Sequence, residues 1–180
     1  QEKDANTVET LSGRFAVRYS GDWLDGTLTY YYQNQDIGGR QINHQDAIGT
    51  DEYEAAHRFL EPSERENQLL ALEIVADLGF AELTSAPGYG EYTEDGQRDQ
   101  TELLLNLEYG YEFFPSFAAF TREEAEENTF TQELRLVSTG DGRLNWIVGA
   151  FYSDFEQDAE SREFAPGYDQ YLLDIGEGVQ

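Results

Sequence analysis

The chain has 180 residues, a net charge of -26 from 37 acidic against 11 basic residues, and neither Cys nor Met. This charge excludes a nucleic-acid-binding role, which needs a basic footprint, and the lack of Cys excludes disulfides and thiolate metal sites. Aromatic residues, 14% of the chain, set it apart from disordered acidic sequences and favour strands.

The length suits one domain with a sizeable core. The missing Met suggests that residue 1 is a processed or truncated end, and the polar start, Gln1-Glu2-Lys3-Asp4, is not a secretory signal. No run of about 18 apolar residues occurs, so no transmembrane helix is expected; a membrane β-barrel stays open, since its strands are apolar only at alternate positions.

Period-two patterning recurs along the chain. A first strand is expected over 13–20, with Phe15, Val17 and Tyr19 on one face, followed by a turn from Ser20 to Gly26. A second, 26–35, sets Leu28, Tyr30 and Tyr32 on one face. The polar stretch 35–66 follows, with a possible short helix over 51–61 ended by Pro62. The third strand, 67–77, aligns Leu70, Leu72, Ile74 and Ala76, and a tight turn at 77–79 leads into a fourth, 79–85. The Gly- and acid-rich stretch 86–99 reads as a loop.

A fifth strand, 99–110, has Leu103, Leu105, Leu107 and Tyr109 on one face and Glu102, Leu104, Asn106 and Glu108 on the other. A sixth, 115–122, precedes an acidic connection at 123–127. The seventh, 128–138, and eighth, 143–154, flank the turn Thr139-Gly140-Asp141-Gly142. At most one more strand is expected, near 171–175. Short turns follow the odd-numbered strands and longer connections the even-numbered ones. One face is apolar; the other carries Glu73, Glu102, Glu108, Glu133 and Arg135. Tyr19, Trp23, Tyr109 and Tyr152 read equally as interface girdle residues or as core aromatics. The expected fold class is therefore all-β: an antiparallel up-and-down meander of about eight strands. Alternation fits both a transmembrane barrel and a soluble barrel with the apolar face inward.

The stretch Thr129-Phe130-Thr131-Gln132-Glu133-Leu134-Arg135-Leu136-Val137-Ser138, followed by Gly140-Asp141-Gly142-Arg143-Leu144-Asn145-Trp146-Ile147-Val148-Gly149-Ala150-Phe151-Tyr152, resembles the Q-E-x-R-L-x-S, short turn, W-x-x-G-x-F-Y hairpin of TonB-dependent outer-membrane receptors. Ser12-Gly13-Arg14 and the aromatic second strand ending in Gln33-Asn34-Gln35-Asp36 are similar to the family too, and the similarity runs from about Val8 to Tyr171. The resemblance implies that residues 1–180 are part of a larger transmembrane β-barrel, with Leu134, Leu136, Trp146 and Val148 facing lipid and Glu133 and Arg135 facing the lumen. No plug domain or TonB-contacting segment is found in the chain, so it reads as an internal barrel piece.

By resemblance, the full receptor imports a scarce nutrient, typically a ferric siderophore and in relatives cobalamin or oligosaccharides. Its partners are TonB, membrane lipid and lipopolysaccharide, and its place is the Gram-negative outer membrane. Ligand capture is expected from the loops 35–66 and 86–99. The alternative is a self-contained eight-stranded barrel that binds a small ligand. A hydrolase with paired carboxylates ranks last.

No catalytic, cofactor-binding or metal residue is assigned. His44 and His57 lie near Asp46, Asp51, Glu52 and Glu54 without metal-type spacing. Glu94, Asp95 and Asp99, or Glu123, Glu124, Glu126 and Glu127, offer oxygen ligands for a divalent cation, but solvated acidic loops explain them as well. Gly88 and Gly90 lack the Gly-Lys-Ser/Thr that a phosphate loop needs. With no Cys, two His and no G-x-S-x-G elbow, the chain is not expected to be an enzyme.

Overall fold

A computed structural model describes residues 5–40, 54–106, 113–140 and 142–176. Six strands form one antiparallel sheet in simple sequence order: β1 (Val8–Ser20), β2 (Leu24–Ile37), β3 (Ser63–Asp77), β4 (Ala81–Asp99), β5 (Phe120–Ser138) and β6 (Ile147–Phe164). Among the described residues two short helices lie outside it, α1 (Thr101–Asn106) and α2 (Tyr168–Asp174). The all-β meander expected from the alternation is present. The sheet is open, with β1 and β6 as its edges.

Several expected elements are corrected. The stretch 86–99 is not a loop but the second half of β4, and the acidic residues 123–127 are not a connection but strand, so the expected sixth and seventh strands merge into β5. β4 pairs along its length with β5, Ala81 opposite Ser138 and Asp99 opposite Phe120. Pairing on both sides outweighs the low strand preference of Gly, Asp and Glu. At Pro87 the β3–β4 ladder skips Leu72 and Glu73, because proline has no N–H to give.

The expected fifth strand, 99–110, is replaced at Thr101–Asn106 by α1, and residues 107–110 lie outside the described residues. Leu104 buries with Phe117 and Ala119 in a small cluster that Leu105 and Phe114 also touch. That packing selects the helix over the strand that the period-two reading of this run predicts. No helix covers 54–61, and 171–175 is mostly helix rather than strand.

Loop lengths separate by end, although two of the longer connections expected, at 86–99 and 123–127, are strand. Residues 21–23, 78–80 and 139–146 connect strands at one end; 38–62 and 100–119 do so at the other. The turn after β3 forms because the Asp77 carboxylate accepts the Gly79 N–H at 2.7 Å, while Gly79 takes φ 83°, which glycine adopts without strain.

The sheet is a single layer. Among the described residues, the buried apolar ones are Ala76, Ala81, Leu104, Phe117 and Ala119, and no large side chain is fully buried. A soluble domain buries an apolar face between two layers; here both sheet faces lack a second layer among the described residues.

Candidate functional site: a sheet face divided in two

Residues paired directly across strands point to the same face, so the register defines rows across the sheet. One row runs Phe15, Tyr30, Leu70, Tyr89, Phe130 and Asp154. Towards the short turns the same face carries Val17, Leu28, Leu72 and Tyr152, then Tyr19, Ile74, Leu134 and Ala150, then Leu24, Ala76, Leu83, Leu136 and Val148. Within these rows Asp154, on an edge strand at the boundary, is the one charged residue. The polar Gln132 is satisfied locally: its amide donates to Ser85 Oγ at 3.1 Å and to the Glu133 carbonyl at 2.7 Å. The apolar side chains stand open, with Phe15 65%, Leu134 45% and Val148 62% exposed.

On β5 this band covers 130–138, about the nine residues that a tilted strand needs to cross a bilayer. The opposite face over the same rows carries Arg14, Arg18, Asp25, Glu73, Glu133 and Arg135, interleaved with small residues and with Tyr31, Leu69, Val75, Phe151 and Phe155. Glu73, Glu133 and Arg135 thus share the charged face expected of them. Of the other two, Glu102 is on α1 and Glu108 lies outside the described residues.

β4 and β5 have 19 residues each, roughly twice the length that a crossing needs. Beyond the Phe15 row the same face becomes acidic. One row is carboxylate on all six strands: Glu9, Asp36, Glu64, Asp95, Glu124 and Glu160. The adjoining row adds Glu66, Glu126 and Asp158. On β3 to β6 the carboxylates of these rows, Glu64, Glu66, Asp95, Glu124, Glu126, Asp158 and Glu160, line an open depression of about 820 Å³. Like charges directly opposite on neighbouring strands repel. Nearby relief comes from Arg162, whose guanidinium donates two hydrogen bonds to Glu160, at 2.5 and 2.6 Å, and holds its carboxyl below the usual range.

On the other face of this projecting half, charges are paired. Burial opposes ionisation of Glu94, but hydrogen bonds from Tyr92, Arg65 and Ser63 outweigh it and keep its carboxyl below the usual range. Burial and the Glu94 carboxylate together push the Tyr92 hydroxyl up to about 12. Arg98 pairs with Glu123 at 2.7 Å.

Of the residues weighed for metal binding, His44, Asp46, Asp51 and Glu52 lie outside the described residues. His57 Nε2 stands 3.6 Å from Glu61 Oε2, a partner the sequence reading passed over. Glu94 and Asp95 point to opposite faces, and so do Glu123 and Glu124 (Glu94 and Glu123 towards one, Asp95 and Glu124 towards the other), so neither acidic run converges on one point. Among the described residues, no group of three or more His, Asp or Glu is arranged to hold a metal ion. The acidic row escaped sequence reading because its members are spread over six strands; only the register assembles it. No protein-family model matches the chain, and no curated protein matches it.

Proposed function

We propose that the chain is a section of the wall of an outer-membrane β-barrel, of the kind found in TonB-dependent receptors that import scarce nutrients. The observation that carries this reading is the apolar band, of bilayer-crossing height and charged only at Asp154 on its boundary, on one face of a single-layer sheet. Lipid is the solvent that such a face needs, and a closed barrel wall is the only sheet that can cross a bilayer with its backbone satisfied. Segregated loop lengths support the same reading, with the turns at 21–23, 78–80 and 139–146 on the periplasmic side and the long connections outside.

The six described strands would be part of a larger wall, since bacterial outer-membrane barrels have at least about eight and both edges here are open. Uptake of a siderophore-like nutrient and coupling to TonB rest on the hairpin at 128–154 and its resemblance. Capture would rest with 38–62 and 100–119, because 86–99 is strand. The self-contained eight-stranded barrel has less support, as no closure joins β1 to β6.

The absence of native Cys gives a direct test. Single cysteines at 133, 134, 135 and 136, carrying a fluorescent probe, are reconstituted in bilayers with chain-brominated lipid. Probes at 134 and 136 are expected to be quenched and those at 133 and 135 spared. Equal quenching at all four, or recovery of a water-soluble monomer with probes at 134 and 136 buried, would remove the reading.

A further inference from the structure

The end of the sheet with the long connections contains a set of bonds that the wall reading does not require. Glu61 is 4% exposed, the most buried acidic residue described. Its carboxylate accepts hydrogen bonds from the Arg40 guanidinium, one at 2.8 Å, and from the Asp99 backbone N–H at 2.9 Å. His57 approaches it on the remaining side. Asp99 returns the arrangement: one carboxylate oxygen accepts the backbone N–H groups of Arg58 and Phe59, and the other accepts that of Thr101 at 2.9 Å. Two carboxylates therefore each hold backbone amides from the other's segment.

The bonds continue beyond this pair. Thr101, 2% exposed, donates its hydroxyl to the Ala119 carbonyl at 3.2 Å and accepts the Ala119 N–H at 3.1 Å. The Arg58 guanidinium donates to the Phe117 carbonyl at 2.6 Å, and the Phe59 ring lies 4.7 Å from that of Phe120. Gln97 fixes the rest of the segment, its backbone N–H to Pro62 and its side-chain amide to Leu60. Both ends of each long connection thus meet at one place: Arg40 and Glu61 from the first, Asp99, Thr101 and Ala119 from the second.

We propose that residues 54–62 are a strap, locked by the carboxylates of Glu61 and Asp99, that makes the two long connections a single mechanical unit, so that a disturbance of either loosens both. Charge-assisted hydrogen bonds to backbone amides are stronger than neutral ones and share a partly buried setting, so the pieces are held cooperatively rather than one by one. The inference does not depend on which solvent covers the apolar band.

Hydrogen exchange on the intact protein tests it, comparing Glu61→Gln, Asp99→Asn and Thr101→Val with the parent. In each variant the amides of Phe59, Asp99 and Ala119 are expected to exchange at least about tenfold faster, as for loss of one charge-assisted or buried hydrogen bond. The β2–β3 ladder around Leu28 and Leu72 should keep its protection. Acceleration confined to the segment that carries each substitution would overturn the proposal. Should a variant fail to fold, Arg40→Lys loosens the lock from its exposed foot and is read at the same amides: faster exchange at Ala119 supports the unit, and no change there refutes it.

Discussion

The two halves of this sheet share one hydrogen-bond ladder and differ in almost everything else. Near the short turns, the face of Phe15 is apolar and open; beyond the Phe15 row, the same strands turn carboxylates out from that face. The backbone does not register the change: β5 runs unbroken from Phe120 to Ser138 through both halves. The ladder fixes strand geometry, while side chains alone fix the surroundings that each half can tolerate. A strand can therefore cross from one solvent to another without a break in its pairing.

The contrast is broken most strongly by placing a charge on each half in turn. Leu134→Arg, in the middle of the band, is expected to destabilise the protein by about 2–4 kcal/mol in bilayers, the cost of a cation facing hydrocarbon. Glu126→Arg, on the same face of the same strand but among carboxylates, should cost nothing and stabilise slightly, by about 0.2–1 kcal/mol. Denaturant titration in lipid vesicles compares them, and equal effects would mean that the two halves meet the same solvent.

A smaller difference separates two glycines. A Cβ added at Gly149, beside the band, would stand 3.1 Å from the Leu134 carbonyl oxygen, whereas at Gly13 it would meet nothing within 4 Å. Gly149→Ala should cost about 1 kcal/mol, while Gly13→Ala should be neutral or gain about 0.5 kcal/mol. The midpoint of unfolding orders the two.

Next in size is relief of the carboxylate row. Asp95 lies between Glu64 and Glu124. Asp95→Asn should stabilise by about 0.2–1 kcal/mol, with the gain shrinking as salt is raised. A gain that does not depend on salt would show that repulsion is not its source.

Two groups of the projecting half give pH responses of opposite sign. Asp99 is held below its ordinary value because its hydrogen bonds from Thr101, Phe59 and Arg58 outweigh the burial that opposes ionisation. A depressed carboxyl contributes stability above its unfolded value and loses it as pH falls through the folded one. The part of the lock that Asp99 supplies should therefore be lost in acid, below the usual carboxylate range. Tyr92 has the opposite sign: raised to about 12, it contributes fully below its ordinary value near 10 and loses that contribution as pH climbs between the two. Ring resonances of Tyr92 followed by NMR should titrate late, and a titration at the ordinary value would break the link to Glu94.

Much of the fold was legible in the sequence. Alternation put Phe15, Val17 and Tyr19 on one face, and the turn signals at 20–26, 77–79 and 139–142 marked the three short connections. The hairpin on either side of Thr139 was placed with its faces assigned, and Glu133 and Arg135 do stand opposite Leu134 and Leu136. The errors cluster where composition and context disagree. Gly88, Gly90 and Asp95 are poor strand residues in isolation, but in β4 each has a paired strand on both sides. Leu103, Leu104 and Leu105 suit strand and helix alike, and packing on Phe117 and Ala119 chose the helix.

The sequence by itself determined the strand-rich class, the two-faced character of the strands and the separation of short from long connections, because these follow from a side-chain period of two and from local turn chemistry. Only the tertiary structure decided where the strands end, which carboxylates form a row, and that Glu61 and Asp99 hold each other's backbone. Those depend on register and on contacts between residues far apart in the chain, such as the 38 positions between Glu61 and Asp99, and no local pattern encodes the distance between two such groups.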